Sequence, residues 1–198
     1  MPESLDAPPL LSTAHLRLRK PELKDADPIF AACAANPEVV RFLSWKAHQR
    51  VQDTEGFLQR CLEAWSEGTT FAYVIELQDS PDNPIGMIDA RPQGPRVAFG
   101  YVLARSSWGR GYMTEALSSL VDWSLNQPGC WRASAYCDSA NSASAKVMRK
   151  VGMEFEGILR RYAVFPNVSP EPRDCLMYAK VKSCPNVTGG SDRDGSGS

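Results

Sequence analysis

The feature that most constrains the fold is a strand-like run that leads through a glycine-rich turn into an amphipathic helix. Residues 97–103 form the apolar run, and Gly109 and Gly111 lie in the turn that follows. Apolar residues then recur at spacings of three and four, which places them on one face of a helix. These residues are Met113, Ala116, Leu117, Leu120, Val121 and Leu125.

The start of this helix is a candidate anion site. The first N–H groups of a helix lack helical partners and lie at the positive end of its dipole. The two glycines have no Cβ, so a phosphate can approach the backbone closely. The turn alone fits a helix start without a ligand equally well. We nevertheless predict a pyrophosphate cradle made by the backbone N–H groups, with the Thr114 hydroxyl as a further donor and Arg110 as further positive charge. The cradle residues are Trp108, Gly109, Arg110, Gly111, Tyr112, Met113 and Thr114.

Charge and hydropathy exclude several classes of function. The 198 residues include 22 basic and 23 acidic side chains, a balance that argues against nonspecific binding to nucleic acid or an anionic membrane. No run reaches the roughly 18 apolar residues that a membrane helix needs, and the start of the sequence lacks a basic signal-peptide pattern. We therefore expect a cytoplasmic protein with no nucleic-acid or membrane partner.

Metal binding is not expected either. The six cysteines are scattered without the short spacings of a zinc site, and His15 and His48 lie far apart in the sequence. In a reducing compartment, free thiols are the expected state of these cysteines.

The element pattern predicts one α+β domain over residues 13–182, between a flexible arm (1–12) and a disordered tail (183–198). Strands are expected at 15–19, 69–77, 84–90, 97–103, 131–136, 155–165 and 175–181. Helices are expected at 25–43, interrupted near Asn36 and Pro37, and at 53–66, 113–126 and 141–151. An antiparallel first half, a strand–helix–strand–helix unit and a closing strand pair indicate a mixed sheet with one crossover.

Three segments together resemble the GNAT superfamily of N-acetyltransferases. The first is Gly100–Leu103 with Trp108–Ala116, the second is Asn141–Met153, and the third is Glu156–Arg160 with Asp174–Tyr178. The resemblance covers about residues 13–182 in the right order, and is strongest to the branch that includes bacterial ribosomal-protein serine and alanine acetyltransferases.

This resemblance implies a GNAT-type fold, a mixed, mostly antiparallel sheet flanked by helices. It also implies direct transfer of acetyl from acetyl-CoA to an amine in a ternary complex. In this fold the strand at 97–103 splays from its neighbour, so Val102 and Leu103 are expected to flank the pantetheine arm and the thioester. A backbone N–H near Val102 is a candidate oxyanion donor.

The resemblance makes Asn141 a pantetheine ligand and places Ser144 near the sulfur. Many GNAT enzymes carry a tyrosine seven residues after the asparagine, where this chain has Met148, which has no proton to donate. Ser144 is therefore the candidate general acid. The alternative is that Asn141 only caps the helix and Ser144 only packs.

The general base is less well defined, because Ala98 occupies the position of the usual glutamate. Asp89 is the candidate base, with Asp174 or a chain of water molecules as alternatives. Trp45 is a candidate for the acceptor pocket and a candidate core residue.

The acceptor is expected to be a protein N-terminus or a small-molecule amine, and the protein a monomer or homodimer. Two other functions remain open. One is a CoA-binding module without turnover. The other is transfer from a different acyl-CoA donor, for which Arg91 or Arg96 would supply a positive charge.

Overall fold

The computed structural model describes residues 5–183, so the expected tail lies outside the described residues except for Ser183. Eight strands form one sheet in the order β1-β2-β3-β4-β5-β6-β8-β7. The strands are β1 (Leu10–Ser12), β2 (Leu16–Arg19), β3 (Phe71–Leu77), β4 (Ser80–Gln93), β5 (Arg96–Leu103), β6 (Arg132–Asp138), β7 (Glu154–Val164) and β8 (Pro172–Val181). The α-helices are α1 (Ala26–Ile29), α2 (Val51–Ser66), α3 (Tyr112–Asn126) and α4 (Ser142–Lys150).

The sheet is antiparallel except between β5 and β6, which α3 connects as a crossover. This confirms the predicted mixed, mostly antiparallel sheet. We call the face covered by α1 and α2 the front face, and the face covered by α3 and α4 the back face. Short 3-10 turns occur at Leu23–Asp25 and Arg105–Ser107.

The central strand β3 packs against helices on both faces. Its residues Tyr73 and Ile75 belong to the apolar core on the back face, and Ala72 and Val74 belong to the core on the front face. A strand covered on both sides has no polar alternation, which is why this segment reads as a continuous apolar run. All six apolar positions predicted for one face of α3 are buried.

The first predicted helix is shorter than expected. It runs through α1 into a π-helical turn, Phe30–Ala34, and residues 35–50 form turns and bends. Asn36 accepts hydrogen bonds from the N–H groups of Glu38 and Val39, at 3.0 and 3.4 Å. Such side-chain bonds compete with helix formation, and Pro37 has no N–H to continue the helix.

The segment predicted as a flexible arm (1–12) contains a strand. Residues Leu10–Ser12 form β1 and pair with β2, and the Tyr73 hydroxyl donates to the carbonyl of Pro8 at 2.9 Å. The short apolar run at Leu10 and Leu11 was too brief to indicate a strand by periodicity. The strand expected at 84–90 also begins earlier, at Ser80, because β4 has an irregular start where the pairing register with β3 shifts.

A buried ion-pair network ties β2 to β3 and to the turn before α1. The Arg19 guanidinium donates to Asp25 at 2.6 and 2.8 Å and to Glu76 at 2.6 and 2.9 Å. Asp25 and Glu76 are only 2% and 1% exposed. Because both carboxylates are buried, Arg19 is required to compensate their charge.

No helix within residues 5–183 is long and apolar enough to cross a bilayer. In the same residues, no group of three or more His, Cys, Asp or Glu side chains could hold a metal ion.

Candidate active site

The glycine turn between β5 and α3 is open to an anion. Gly109 and Gly111 have φ of +76° and +86°, in the left-handed region that glycine enters at little cost. No atom lies within 4 Å of a Cβ built on either residue. Glu115 N–H makes the first helical hydrogen bond, to the Gly111 carbonyl at 3.0 Å, and no side chain within residues 5–183 caps α3. The N–H groups of residues 112–114 therefore point outward without helical partners.

Trp108 stabilises this turn through two hydrogen bonds. Its backbone N–H donates to the Arg105 carbonyl at 3.2 Å, and its indole N–H donates to the Leu103 carbonyl at 2.7 Å. Because that N–H is already used within the turn, the available donors begin at Gly109, and the cradle role of Trp108 stays a prediction. The side chain of Met113 is buried in the core, so only its backbone faces the turn.

A groove of ≈ 540 Å³ continues from the cradle along α3, past Thr114 and Ser118 to Lys150. At its edge, Glu115 accepts hydrogen bonds from the Thr13 hydroxyl at 2.6 Å and the His15 N–H at 2.8 Å. These bonds hold the segment before β2 against the start of α3.

The parallel pairing of β5 and β6 ends early and leaves a gap. Arg96–Phe99 pair with Arg132–Ala135, but Gly100–Leu103 have no partner on β6. β6 continues to Asp138 by pairing with β8 instead. This confirms the expected splay, and it places Val102 and Leu103 on the open edge, next to the cradle in sequence and space.

Ser144 lies on the back face of this gap. Its Oγ is 2.7 Å from the Tyr101 hydroxyl, and its N–H donates to the Asn141 side-chain oxygen at 3.1 Å. Asn141 is therefore the N-cap of α4, and its amide N–H groups remain available for a ligand. Burial raises the pKa of Tyr101, so its hydroxyl stays protonated. Met148 is fully buried in the core.

Asp89 lies on the front face, directly opposite Gly100 across the β4–β5 pair. Its Oδ1 is 2.8 Å from Nε of Arg91. Desolvation raises the pKa of Asp89 to about 6, against the lowering effects of Arg91 and a hydrogen bond from the Gly100 N–H. The candidate base and the candidate acid thus lie on opposite faces of the open end of β5.

The alternative base, Asp174, is engaged elsewhere. Its Oδ1 accepts a hydrogen bond from the Arg161 N–H at 2.9 Å, and its Oδ2 is 3.8 Å from Arg160. It lies near the start of β8, where it holds the β7–β8 pair together. Asp89 therefore has the better placement of the two carboxylates.

The loop at 36–50 covers the front face. Trp45 lies 4.8 Å from His48 and 6.2 Å from Phe57 between ring centroids, and packs with Val102 against the front core. Asn167, from the β7–β8 connection, fixes this loop. Its amide donates to the carbonyls of Val40 and Trp45 at 2.8 and 2.7 Å, and its oxygen accepts the Ala47 N–H at 3.3 Å. Two segments far apart in the sequence, the 36–50 loop and the β7–β8 connection, thus cover the front face at the gap.

The sequence did not indicate two residues of this region, Tyr101 and Asn167, or the pairing of Arg91 with Asp89. The alternation along β4 and β5 could have indicated that Asp89 and Arg91 share a face. Nothing local in the sequence indicates the contacts of Tyr101 with α4 or of Asn167 with the 36–50 loop.

Comparison with known proteins agrees with the fold described above. Residues 15–154 match the family model described as an acetyltransferase (GNAT) domain. The chain belongs to this family.

The chain is 28% identical over 176 residues to the uncharacterized N-acetyltransferase YoaA of Bacillus subtilis, covering 88% of this chain and 97% of that protein. Solved structures that share its fold include two acetyltransferases. One is the microcin C7 self-immunity acetyltransferase MccE in complex with acetyl-CoA and AMP, with TM-score 0.78, 20% identity, and 90% and 98% of the two chains covered. The other is RimL, a ribosomal L7/L12 alpha-N-protein acetyltransferase, in complex with coenzyme A, with TM-score 0.76, 20% identity, and 87% and 97% covered.

Proposed function

We propose that this protein transfers the acetyl group of acetyl-CoA to a primary amine by direct attack in a ternary complex. The observation that carries the proposal is the gap beside Gly100–Leu103, which opens next to the glycine cradle. The cradle fits a diphosphate because the space in front of both glycines is open and the α3 amides face it. Support also comes from the MccE and RimL structures, which are described as complexes with acetyl-CoA and with coenzyme A.

Bound acetyl-CoA supplies the activated acetyl thioester. In the proposed arrangement Asn141 and the open edges of Val102 and Leu103 hold the pantetheine arm in the gap. The backbone N–H groups of Gly109–Thr114, with the Thr114 hydroxyl and Arg110, hold the diphosphate. The thioester then lies in the gap beside β5, with Asp89 on the front face and Ser144 on the back face.

Asp89 is the proposed proton acceptor. An α-amine has a pKa of about 8 and is mostly protonated at pH 7, so it must lose a proton before it attacks. Because the pKa of Asp89 is about 6, its carboxylate is mostly ionised at pH 7. The amine nitrogen then forms a bond to the thioester carbonyl carbon, and a backbone N–H near Val102 stabilises the negative charge on oxygen.

Ser144 is the proposed proton donor. As the carbon–sulfur bond breaks, the nitrogen loses its second proton to solvent, and the Ser144 hydroxyl gives a proton to the departing thiolate. The Tyr101 hydroxyl 2.7 Å away replaces the Ser144 proton and regains one from solvent, and Asp89 releases its proton when the products leave. These two hydroxyls supply the proton that the Met148 side chain has no group to donate. It therefore argues against a CoA-binding module without turnover.

A different acyl donor is less well supported. Arg91 is paired with Asp89, so its charge is already compensated. Arg96 pairs with Gln93 at the opposite end of β5, away from the cradle. Neither arginine is placed to recognise an additional carboxylate on the acyl group.

The test combines calorimetry with CoA, a thiol-release assay and mass spectrometry of the products. The amines are a peptide with a free α-amine, the same peptide with that amine formylated, and a polyamine. We expect CoA binding, and thiol release with acetyl addition for at least one free amine but not for the formylated peptide. Heat with CoA but no transfer would support the binding module. Faster transfer from succinyl-CoA would support the other donor, and no CoA binding would contradict the proposal.

A further inference from the structure

The ion pair between Asp89 and Arg91 lies at the beginning of the gap. Asp89 pairs with Gly100, which is the first residue of β5 without a partner on β6. A Cβ on Gly100 would lie 2.9 Å from Nη2 of Arg91 and 3.1 Å from Oδ2 of Asp89. Both charged groups therefore occupy the space that a side chain at position 100 would fill.

The pair has unused hydrogen-bonding capacity. Asp89 Oδ1 and Arg91 Nε are buried atoms 2.8 Å apart, yet neither makes a hydrogen bond of acceptable geometry to any described residue. Buried polar atoms without partners are uncommon in folded proteins. The Asp89 side chain as a whole is 32% exposed, so a substrate N–H group would reach the carboxylate from its accessible side.

We propose that Arg91 is a positioning residue that, in the space left by Gly100, holds the Asp89 carboxylate at the open end of β5 and supplies its opposite charge. This inference deepens the proposed acetyl transfer and rests on Asp89 accepting the proton of the acceptor amine. Arg91 itself does not contact the reacting atoms.

The surroundings of Asp89 leave Arg91 as the main source of opposite charge. From α2, Cys61 faces Asp89, and burial raises the pKa of this thiol to about 12, so it is neutral. From β6, Tyr136 faces both members of the pair, and burial raises its pKa as well. Tyr162 of β7 packs on Tyr136 at 5.0 Å between centroids.

The remaining neighbours contribute little charge. Arg60, the nearest basic residue of α2, is exposed, and its charge acts on Cys61. On β3, the residue opposite Asp89 is Ala72. Desolvation alone would thus raise the pKa of Asp89 further, and Arg91 opposes this effect.

The decisive variants are Arg91→Gln, Arg91→Lys and the control Arg96→Gln. Arg96→Gln removes the same charge from the same β4–β5 hairpin. Arg96 lies four residues from Gly100, which is about 13 Å along the strand. At 0.1 M salt that exceeds the Debye length of about 10 Å. Urea unfolding establishes that each variant is folded at the temperature of the assays.

The first readout is the titration of the Asp89 carboxyl carbon by NMR in 13C-labelled protein, which needs no acceptor. An opposite charge at this distance lowers a carboxyl pKa by about 1–3 units. We expect Arg91→Gln to raise the pKa of Asp89 by at least about one unit, Arg91→Lys to raise it less, and Arg96→Gln to leave it unchanged. An unchanged titration in Arg91→Gln overturns the inference even if the enzyme is an acetyltransferase.

The second readout is the ratio of the kcat/KM values of the wild-type protein and the variant at each pH, in which the titration of the acceptor amine cancels. A one-unit rise in the pKa of Asp89 gives a loss of roughly fivefold at pH 6 and almost none at pH 9. A loss that is equal at all pH values indicates a purely structural role and overturns the inference. A shifted NMR titration without any acetyl transfer in the wild-type protein would contradict the proposed function instead.

Discussion

Replacing Gly111 by alanine separates the anion site from the fold. Gly111 has φ of +86°, and no atom lies within 4 Å of the added methyl group. The only cost inside the protein is the left-handed conformation, about 1–2 kcal/mol for a residue with a Cβ. For a domain of this size we expect a fall of about 2–4 °C in Tm for each kcal/mol.

The effect on CoA should be larger than this strain explains, because the methyl group occupies the space through which a phosphate reaches the α3 amides. We expect the Kd for CoA to rise at least about tenfold, which corresponds to about 1.4 kcal/mol of binding free energy. Calorimetry with CoA gives the Kd, and urea unfolding gives the change in stability.

Gly94→Ala is the matched control. Gly94 has φ of +64° and equally open surroundings, but it lies in the β4–β5 turn. β5 has eight residues, so about 25 Å of strand separates this turn from the cradle. The two variants should lose similar stability, and only Gly111→Ala should lose CoA affinity. If both bind CoA as the wild-type protein does, the argument for the cradle is wrong.

Three other substitutions test the site, the buried ion-pair network and the attachment of the 36–50 loop. Ser144→Ala should lower kcat about a hundredfold with little change in the Kd for CoA, since it removes a proton donor; stopped-flow thiol release measures this, and an unchanged kcat would exclude Ser144 from the mechanism. Arg19→Met should lower the free energy of unfolding by about 3–5 kcal/mol, because it leaves the buried carboxylates of Asp25 and Glu76 uncompensated; a loss below about 1 kcal/mol in urea unfolding would show that the network is not required. Asn167→Ala should remove three hydrogen bonds to the 36–50 loop, at roughly 1 kcal/mol each, and speed amide hydrogen exchange there; unchanged exchange would mean that other contacts fix the loop.

Much of the fold follows from the sequence because its elements are strongly patterned. α3 is predicted by six apolar residues at helical spacing, and all six are buried. The two glycines before α3 predict an open turn, and their positive φ values agree with it. Local periodicity and backbone sterics decide both features, so they can be read without knowing the neighbours.

Elements that depend on weak local signals were predicted less well. β1 has only three residues and is defined by its pairing with β2. The helix expected to reach residue 43 ends near Ala34, since Asn36 and Pro37 favour turns. In both cases the strength of a competing contact, which a sequence does not show, determines the boundary.

For the candidate site, the sequence determined the types of residue available: a glycine cradle, an asparagine cap followed by a serine, and a carboxylate at Asp89. The tertiary structure alone decided which of them meet. Tyr101 reaches Ser144 because α4 packs on β6 and β8 on the back of the sheet, beside the open end of β5. Arg91 is held by Asp89 because Gly100 leaves room for both. Contacts between residues far apart in the chain arise from strand register and helix packing, and these are set by the fold as a whole.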